Sequence, residues 1–270
     1  MSDNPAVLCA IADGVATLTL NRPENNNAWG GEIQTEYFDA LARCNDDPAV
    51  RVIVVTGAGK SFCPGADMNL LSGMGSQQGS GSEPEVRFSA RPNHFPMSIG
   101  KPIIGAINGA CAGVGLVQAL MFDVRFAAAG AKFTVAFARR GLIAEYGLAW
   151  LLPRLVGPSV ALDLMMSSRV FTAEEAKELG VVNHVVPREQ VLEAALAYAR
   201  DLATNCCPTS MAIMKRQVLT DSLHTIDEAL DQANREMNAS LRRKDFVEGV
   251  QSYLQKRPPA FEPYTGGLIG

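Results

Sequence analysis

Lys101-Pro-Ile-Ile-Gly-Ala-Ile-Asn-Gly-Ala-Cys-Ala-Gly-Val-Gly-Leu-Val-Gln-Ala-Leu-Met-Phe-Asp123 is the stretch from which the rest of the chain is read. Pro102 to Ile107 predicts a buried strand, Asn108-Gly109 breaks it, and Gly113-Val114-Gly115 leads into an apolar helix. Glycine lets another backbone or a ligand come close. A helix start leaves amide hydrogens without intrahelical partners. Strand, glycine-rich corner and helix start together make a place to hold a negative oxygen. A plain structural turn between strand and helix accounts for the same residues, so the pattern needs a second site beside it.

That second site follows Arg51 to Thr56, a β-branched run with four apolar residues in a row from Val52. Such a run predicts a strand covered on both faces. Gly57-Ala-Gly-Lys-Ser-Phe-Cys-Pro-Gly-Ala-Asp67 then forms another glycine-rich corner, with a helical stretch expected from Met68 to Leu71. Its glycine spacing fits neither a dinucleotide fingerprint nor a phosphate-binding loop. If the two strands are neighbours, both corners lie at one edge. The amides of Ala66 and Val114 then converge on a carbonyl oxygen, each contributing roughly 3 kcal/mol to an oxyanion. Two ordinary strand-to-helix joints remain the bland alternative.

Glu145 is the candidate acid or base, because Ala144, Tyr146 and an apolar neighbourhood would desolvate it and raise its pKa. A surface ion pair with Arg139 or Arg140 is the competing reading. Asp67 is expected to cap the helix after Ala66 or to shape the loop. Ser61 and Cys63 lie in the first corner without an assignable base, so covalent catalysis is unsupported. Lys101, His94 and Arg22 could meet phosphate, though each alone reads as a structural or solvated side chain.

The 270 residues are 47% hydrophobic and 19% charged, with a formal net charge of -4. That is globular composition without a basic field for nucleic acid or an anionic membrane. The six cysteines show no metal-ligand spacing, and the three histidines are scattered, so no metal is expected. A reduced, cytoplasmic protein without signal peptide or membrane span is the expectation.

Along the chain, residues 7–20 predict two strands around Asp13-Gly14, and 31–45 a helix. Strands are expected at 124–128 and 132–135, apolar helices over 148–167, and a capping box at Thr172 and Glu175. Val181 to Val186 reads as a strand. Helices are expected at 190–206, 211–218, 225–241 and 246–254, with Ile226, Leu230, Ala233 and Met237 on one face. Residues 72–86 are rich in Ser, Gly and Gln and read as a flexible insertion. The fold class is α/β: a layered core over residues 1–200, then a helical C-terminal region and tail over 201–270.

Several motifs resemble the crotonase superfamily, the enoyl-CoA hydratase/isomerase family. They are Asn21-Arg22-Pro23 with Asn27-Ala28, the two glycine corners, Pro153-Arg154-Leu155-Val156-Gly157, Thr172-Ala173-Glu174-Glu175-Ala176, Leu179-Gly180-Val181-Val182, and Glu248-Gly249 with Lys256-Arg257. The resemblance covers residues 8–262. It implies a crotonase-like spiral of ββα units, C-terminal helices used in trimerisation, a homotrimer or dimer of trimers, and a coenzyme A thioester substrate without metal or redox cofactor. It carries the oxyanion donors onto Ala66 and Val114, and the CoA groove onto Arg22, Ala28, Ala66 and Asp67. Lys256 and Phe261 match the region that reaches CoA, in some assemblies from a neighbouring subunit.

The two glutamates of typical family hydratases fall here on Val117 and Phe137, and neither can move a proton. Glu145 matches a third acid position, which some family isomerases use. The expectation is an enoyl-CoA Δ3-Δ2 isomerase with one glutamate. A hydratase or related lyase is the alternative, with Glu145 activating water beside Glu83 or Glu85. A thioester hydrolase and a non-catalytic acyl-CoA-binding protein are further ones. Met68, Leu70, Leu71, Phe137, Leu142 and Trp150 either receive an acyl chain or fill the core.

Overall fold

The computed structural model describes residues 4–67, 72 and 89–269. The expected insertion at 72–86, the helix from Met68, the apolar residues Leu70 and Leu71, and Glu83 and Glu85 lie outside the described residues, Ser72 excepted. Two sheets make the core. The larger is built from β1 (Val7–Ala12), β2 (Val15–Leu20), β3 (Val52–Gly57), β5 (Ile103–Ile107), β7 (Val124–Ala128) and β10 (His184–Val186), in that spatial order. Only β1 runs antiparallel, paired with β2 through the Asp13-Gly14 turn. The smaller sheet has the order β4 (Ser61–Cys63), β6 (Ala110–Ala112), β8 (Lys132–Thr134), β9 (Phe171–Thr172).

The chain alternates between the sheets. Each long strand β3, β5 and β7 is followed by a short strand of the second sheet, β4, β6 and β8. After β6 comes helix α2 (Val114–Leu120), and after β8 comes α3 (Leu148–Val156). These are the expected ββα units.

The unbroken apolar runs of β3 and β5 are explained by two covered faces. Val52, Val54, Ile104 and Ala106 pack towards helix α6 (Val191–Asn205), which meets them with Val191, Ala195, Ala199 and Ala203. Small side chains at every fourth position let the helix lie close to the sheet. Ile53, Val55, Ile103 and Ile107 face the other way, into a core shared with Tyr37, Phe38 and Leu41 of helix α1 (Gly31–Asp46). Of two further helices, α5 (Ala173–Glu178) packs on β8 and β9 of the smaller sheet, and α4 (Pro158–Ser167) packs on α3.

Two local expectations are corrected. The strand expected over 181–186 is confined to His184–Val186, because the amides of Val181 and Val182 both bond Ala176 O in the turn after α5. The Thr172 hydroxyl accepts from the Glu175 amide, but the Glu175 carboxylate goes to Arg169, so only half a capping box forms. The complete box is at Thr225 and Glu228, opening helix α8 (Ile226–Ser240).

Helices α7 (Pro208–Asp221), α8 and α9 (Lys244–Gln255) form the C-terminal region. None of the α8 residues is buried, and its apolar face leaves Ile226 at 80% and Met237 at 60% exposure. The tail runs back to the body: Ile269 N donates to Ser98 O at 2.7 Å, and Ile269 is buried. Among the described residues no helix is long and apolar enough to cross a membrane.

Candidate active site

The strands β3 and β5 are hydrogen-bonded neighbours, Thr56 opposite Ala106. Both glycine corners therefore leave the same end of the same sheet. The strands β4 and β6 pair directly beyond them, Ser61 with Ala110 and Cys63 with Cys111. Asn27 and Asn108 hold the corners in shape. Asn27 is fully buried; its side-chain amide donates to Ala58 O and Ser61 O, and its oxygen accepts from Arg22 N. Asn108 donates to Gly57 O at 2.8 Å and to Gly59 O at 3.1 Å.

The corners meet backbone against backbone. A Cβ on Gly65 would sit 3.1 Å from Ala112 O, and one on Gly113 would sit 3.6 Å from the Gly65 Cα. Gly113 has φ 50° and ψ −126°, a conformation favouring glycine. The residues that follow these two glycines are Ala66 and Val114.

Both amides lack partners among the described residues. Ala66 bridges Trp29 in parallel: Trp29 N donates to Gly65 O at 2.7 Å and Asp67 N donates to Trp29 O at 3.0 Å. That pattern turns the Ala66 N–H to the other side. Val114 is the first residue of α2, where the helix itself supplies no acceptor for the amide. Gly113 N is already taken by Thr134 O at 3.0 Å.

Val117 and Phe137 are both buried in the main core. Glu145 lies in the segment that begins at the second corner, where Val135 O faces Gly113, and ends at α3. The Glu145 side chain is exposed, and its carboxylate makes no ion pair or hydrogen bond with a described residue; the expected pairing with Arg139 or Arg140 is absent among the described residues, and these turn to Ser167 O and Ala136 O. Partial burial by its neighbours still pushes the carboxyl pKa above 4.5. Directly after it Tyr146 and Gly147 both take positive φ, 56° and 82°. For tyrosine that costs on the order of 1–3 kcal/mol, and such strain concentrates at functional sites. Burial, followed by the Glu145 charge, raises the Tyr146 hydroxyl to about 12.

Tyr146 borders a cavity of about 270 Å³ with His94, Met97, Met121, Trp150 and Leu151. Of the expected acyl-chain residues, Trp150 lines this cavity, Phe137 is core, and Leu142 is exposed. The Arg154 guanidinium stacks on the Trp150 ring at 3.8 Å.

Arg22, Ala28 and Asp67 gather beside the first corner. Arg22 pairs with Glu32 at 2.7 Å, and Asp67 accepts from the Asn25 side chain at 2.8 Å. Lys101 proves structural: it is buried, its ammonium donates to Cys44 O and Asp47 O, and burial lowers its pKa to about 8. Cys63 is fully buried, without solvent access, and burial raises its thiol to about 12. Phe261 lies apart from the corners of its own chain. Its carbonyl accepts from Arg51, which precedes β3, whereas the first corner follows β3. Lys256 ends α9 in a left-handed turn, exposed, and is likewise not brought to the corners. Among the described residues no group of three His, Cys, Asp or Glu side chains is placed to hold a metal ion.

Sequence reading missed a buried polar string beneath the first corner. The Trp29 ring nitrogen donates to Gln34, Gln34 donates to the Asn93 side chain, and Gln118 donates to Asn93 O. Gln118 Oε1 is buried without a partner among the described residues. The only hint was a glutamine interrupting the apolar run of α2.

The enoyl-CoA hydratase/isomerase family model matches residues 10–263. The chain is 35% identical to a 1,2-epoxyphenylacetyl-CoA isomerase of Escherichia coli, over 94% of this chain and 97% of that one. It is also 35% identical to a probable enoyl-CoA hydratase of Mycobacterium tuberculosis, over 93% and 90%. Among solved structures, a putative enoyl-CoA hydratase/isomerase from Mycobacterium abscessus superposes with a TM-score of 0.88 at 30% identity, over 96% of this chain and all of that one. An enoyl-CoA hydratase from Mycobacterium marinum is 49% identical, with a TM-score of 0.69 over 82% of this chain and all of that one. With its two-sheet ββα core and this span of similarity, the chain belongs to the enoyl-CoA hydratase/isomerase family of enzymes, the crotonase superfamily.

Proposed function

We propose that this enzyme moves the double bond of a 3-enoyl-CoA thioester into conjugation, as a Δ3-Δ2 isomerase. The amides of Ala66 and Val114 receive the thioester oxygen. Glu145 removes a proton from C2, the charge spreads onto that oxygen as a dienolate, and the same carboxyl returns the proton at C4. Atoms balance without water or a redox partner. The observation that carries the reading is the acid inventory: Val117 and Phe137 are buried and apolar, while Glu145 has a raised pKa and a carboxylate without a partner among the described residues. One carboxylate suffices for a proton shuttle, whereas two-acid water addition needs a second. One relative is named an isomerase of a different CoA thioester, an epoxide, which supports isomerisation only in the broad sense.

The CoA moiety is placed along Arg22, Ala28, Ala66 and Asp67. Lys256 and Phe261 are assigned to the CoA of a neighbouring subunit, because Phe261 is held at the far end of β3 in its own chain. A homotrimer or dimer of trimers is proposed to cover the exposed face of α8 and the α9 side chains Tyr253 and Leu254, which are 84% and 73% exposed.

Hydration is the second reading. The exposure of Glu145 favours it, since water reaches that carboxylate, and several relatives are described as hydratases. Product-resolved turnover of a 3-enoyl-CoA and its 2-enoyl isomer decides, with water addition and free CoA followed together. Double-bond migration lost in Glu145→Gln, with folding and CoA binding retained, supports the isomerase. Dominant 3-hydroxyacyl-CoA formation overturns it in favour of hydration, and free CoA release in favour of hydrolysis.

A further inference from the structure

The proposed chemistry uses none of the cysteines, yet two of them face each other across the first structural unit. Cys9 lies on the edge strand β1, exposed; Cys44 lies in the last turn of α1, buried. Their sulfurs are 3.9 Å apart. A disulfide needs about 2.05 Å, so side-chain rotation of less than 2 Å separates contact from a bond. We propose that Cys9 and Cys44 form a peroxide-sensitive dithiol that closes reversibly to an intrachain disulfide.

The two sulfurs divide the work by accessibility. Cys9 meets solvent and therefore the oxidant. Its thiolate attacks one oxygen of hydrogen peroxide, the O–O bond breaks, and the departing hydroxide is protonated to water. Cys9 is left as a sulfenic acid. The Cys44 sulfur then attacks the Cys9 sulfur, the S–O bond breaks, and the leaving hydroxide takes the Cys44 proton. Two thiols lose two electrons and two protons in all, and one peroxide becomes two waters. Burial raises the Cys44 thiol to about 12, so this sulfur waits as a protonated thiol until its neighbour is oxidised. Lys101 and Arg43 lie near enough to favour its thiolate during the attack.

The bond would close the segment from Cys9 to Cys44, which contains Asn27, Ala28 and Trp29. Those residues shape the first corner through the Asn27 bonds and the Trp29–Ala66 bridge. Oxidation thus staples the frame of the site without touching Ala66, Val114 or Glu145.

The test is peroxide treatment of the whole native protein, followed by alkylation in denaturant and peptide mass spectrometry. The expected result is a loss of 2 Da, one cross-linked peptide joining Cys9 to Cys44, four alkylated cysteines and full reversal by dithiothreitol. The oxidised form should melt several degrees higher. Cys44→Ser should leave Cys9 progressing to sulfinic acid, and Cys9→Ser should leave Cys44 reduced. Cross-linking as fast in urea as in the native protein would overturn the proposal, because proximity in the fold would then not be the cause. So would sulfinic acid on Cys9 of the native protein with Cys44 still free, or no loss of mass.

Discussion

Val114→Pro removes one amide hydrogen and leaves the fold its reasons to form. Val114 is the first residue of α2, where proline is tolerated because its φ suits the helix and no intrahelical bond needs its N–H. No described residue accepts from that amide, so no hydrogen bond to a described residue is broken. The side chain is buried, and a changed shape there costs about 1–2 kcal/mol of stability. Catalysis should suffer far more. Loss of one oxyanion donor costs about 3–4 kcal/mol in the transition state, roughly a 10²–10³-fold fall in kcat. Val114→Ala is the matched control: it trims the same side chain, keeps the N–H, and should retain kcat within a few-fold. The assay is initial-rate isomerisation of a 3-enoyl-CoA, read by conjugated-thioester absorbance, beside thermal melting of all three proteins. Equal activity in Val114→Pro and Val114→Ala would refute the assignment of this amide, whatever the overall reaction proves to be.

Glu145→Gln should lose at least 10³-fold in kcat with little change in melting temperature, because the carboxylate makes no bond to a described residue; a residual rate near wild type would remove it from the mechanism. The same group sets the pH profile. A base works ionised, so kcat/KM should fall as pH drops through a value above 4.5, and Glu145→Gln should abolish that limb. Its effect on stability has the opposite sense: a raised carboxyl favours folding at low pH, and this advantage fades as pH rises through the folded pKa. Asn27→Ala leaves Ala58 O, Ser61 O and Arg22 N without their buried partner, and urea denaturation should show a loss of roughly 2–4 kcal/mol. Lys101 binds its proton less tightly folded than unfolded, so stability should climb between pH 8 and 10.5, and denaturation curves of Lys101→Met should lack that slope.

The elements legible in the sequence are those whose cause is local. The apolar run Val52–Val55 declared two covered faces and Pro102–Ile107 a buried strand, and the structure supplies α6 on one side and the α1 core on the other. The two corners were legible because Gly65 and Gly113 are backbone requirements written as residue types. Their convergence could be inferred only by assuming that β3 and β5 are neighbours, a non-local fact. Where a side chain's role depends on a distant partner, the sequence leaves that partner open. Lys101 alone reads as a structural or solvated side chain, and only the fold shows that its ammonium serves the carbonyls of Cys44 and Asp47 at the end of α1. Thr172 and Glu175 carry the capping-box spacing, but Arg169 competes for the glutamate.

Glu145 shows why the fold and the reaction separate in this family. The fold needs the corners close-packed, so Gly65, Gly113, Asn27 and Asn108 are constrained by contacts on every side. Proton transfer needs only one group of suitable pKa facing the bound carbonyl, and any residue on the surrounding wall can supply it. Here Val117 and Phe137 belong to the core, and the acid we propose, Glu145, lies in a strained turn before α3, where Tyr146 holds a positive φ. That turn is built from residues of one short segment: Val135 O lies near Gly113, and Tyr146 shares a cavity with Met121. On the proposed assignment, replacing the acid in that segment leaves the two glycine corners in place. Transplanting a carboxylate to Val117 would place a charge at a site with no solvent access, and should cost several kcal/mol of stability before it confers hydration.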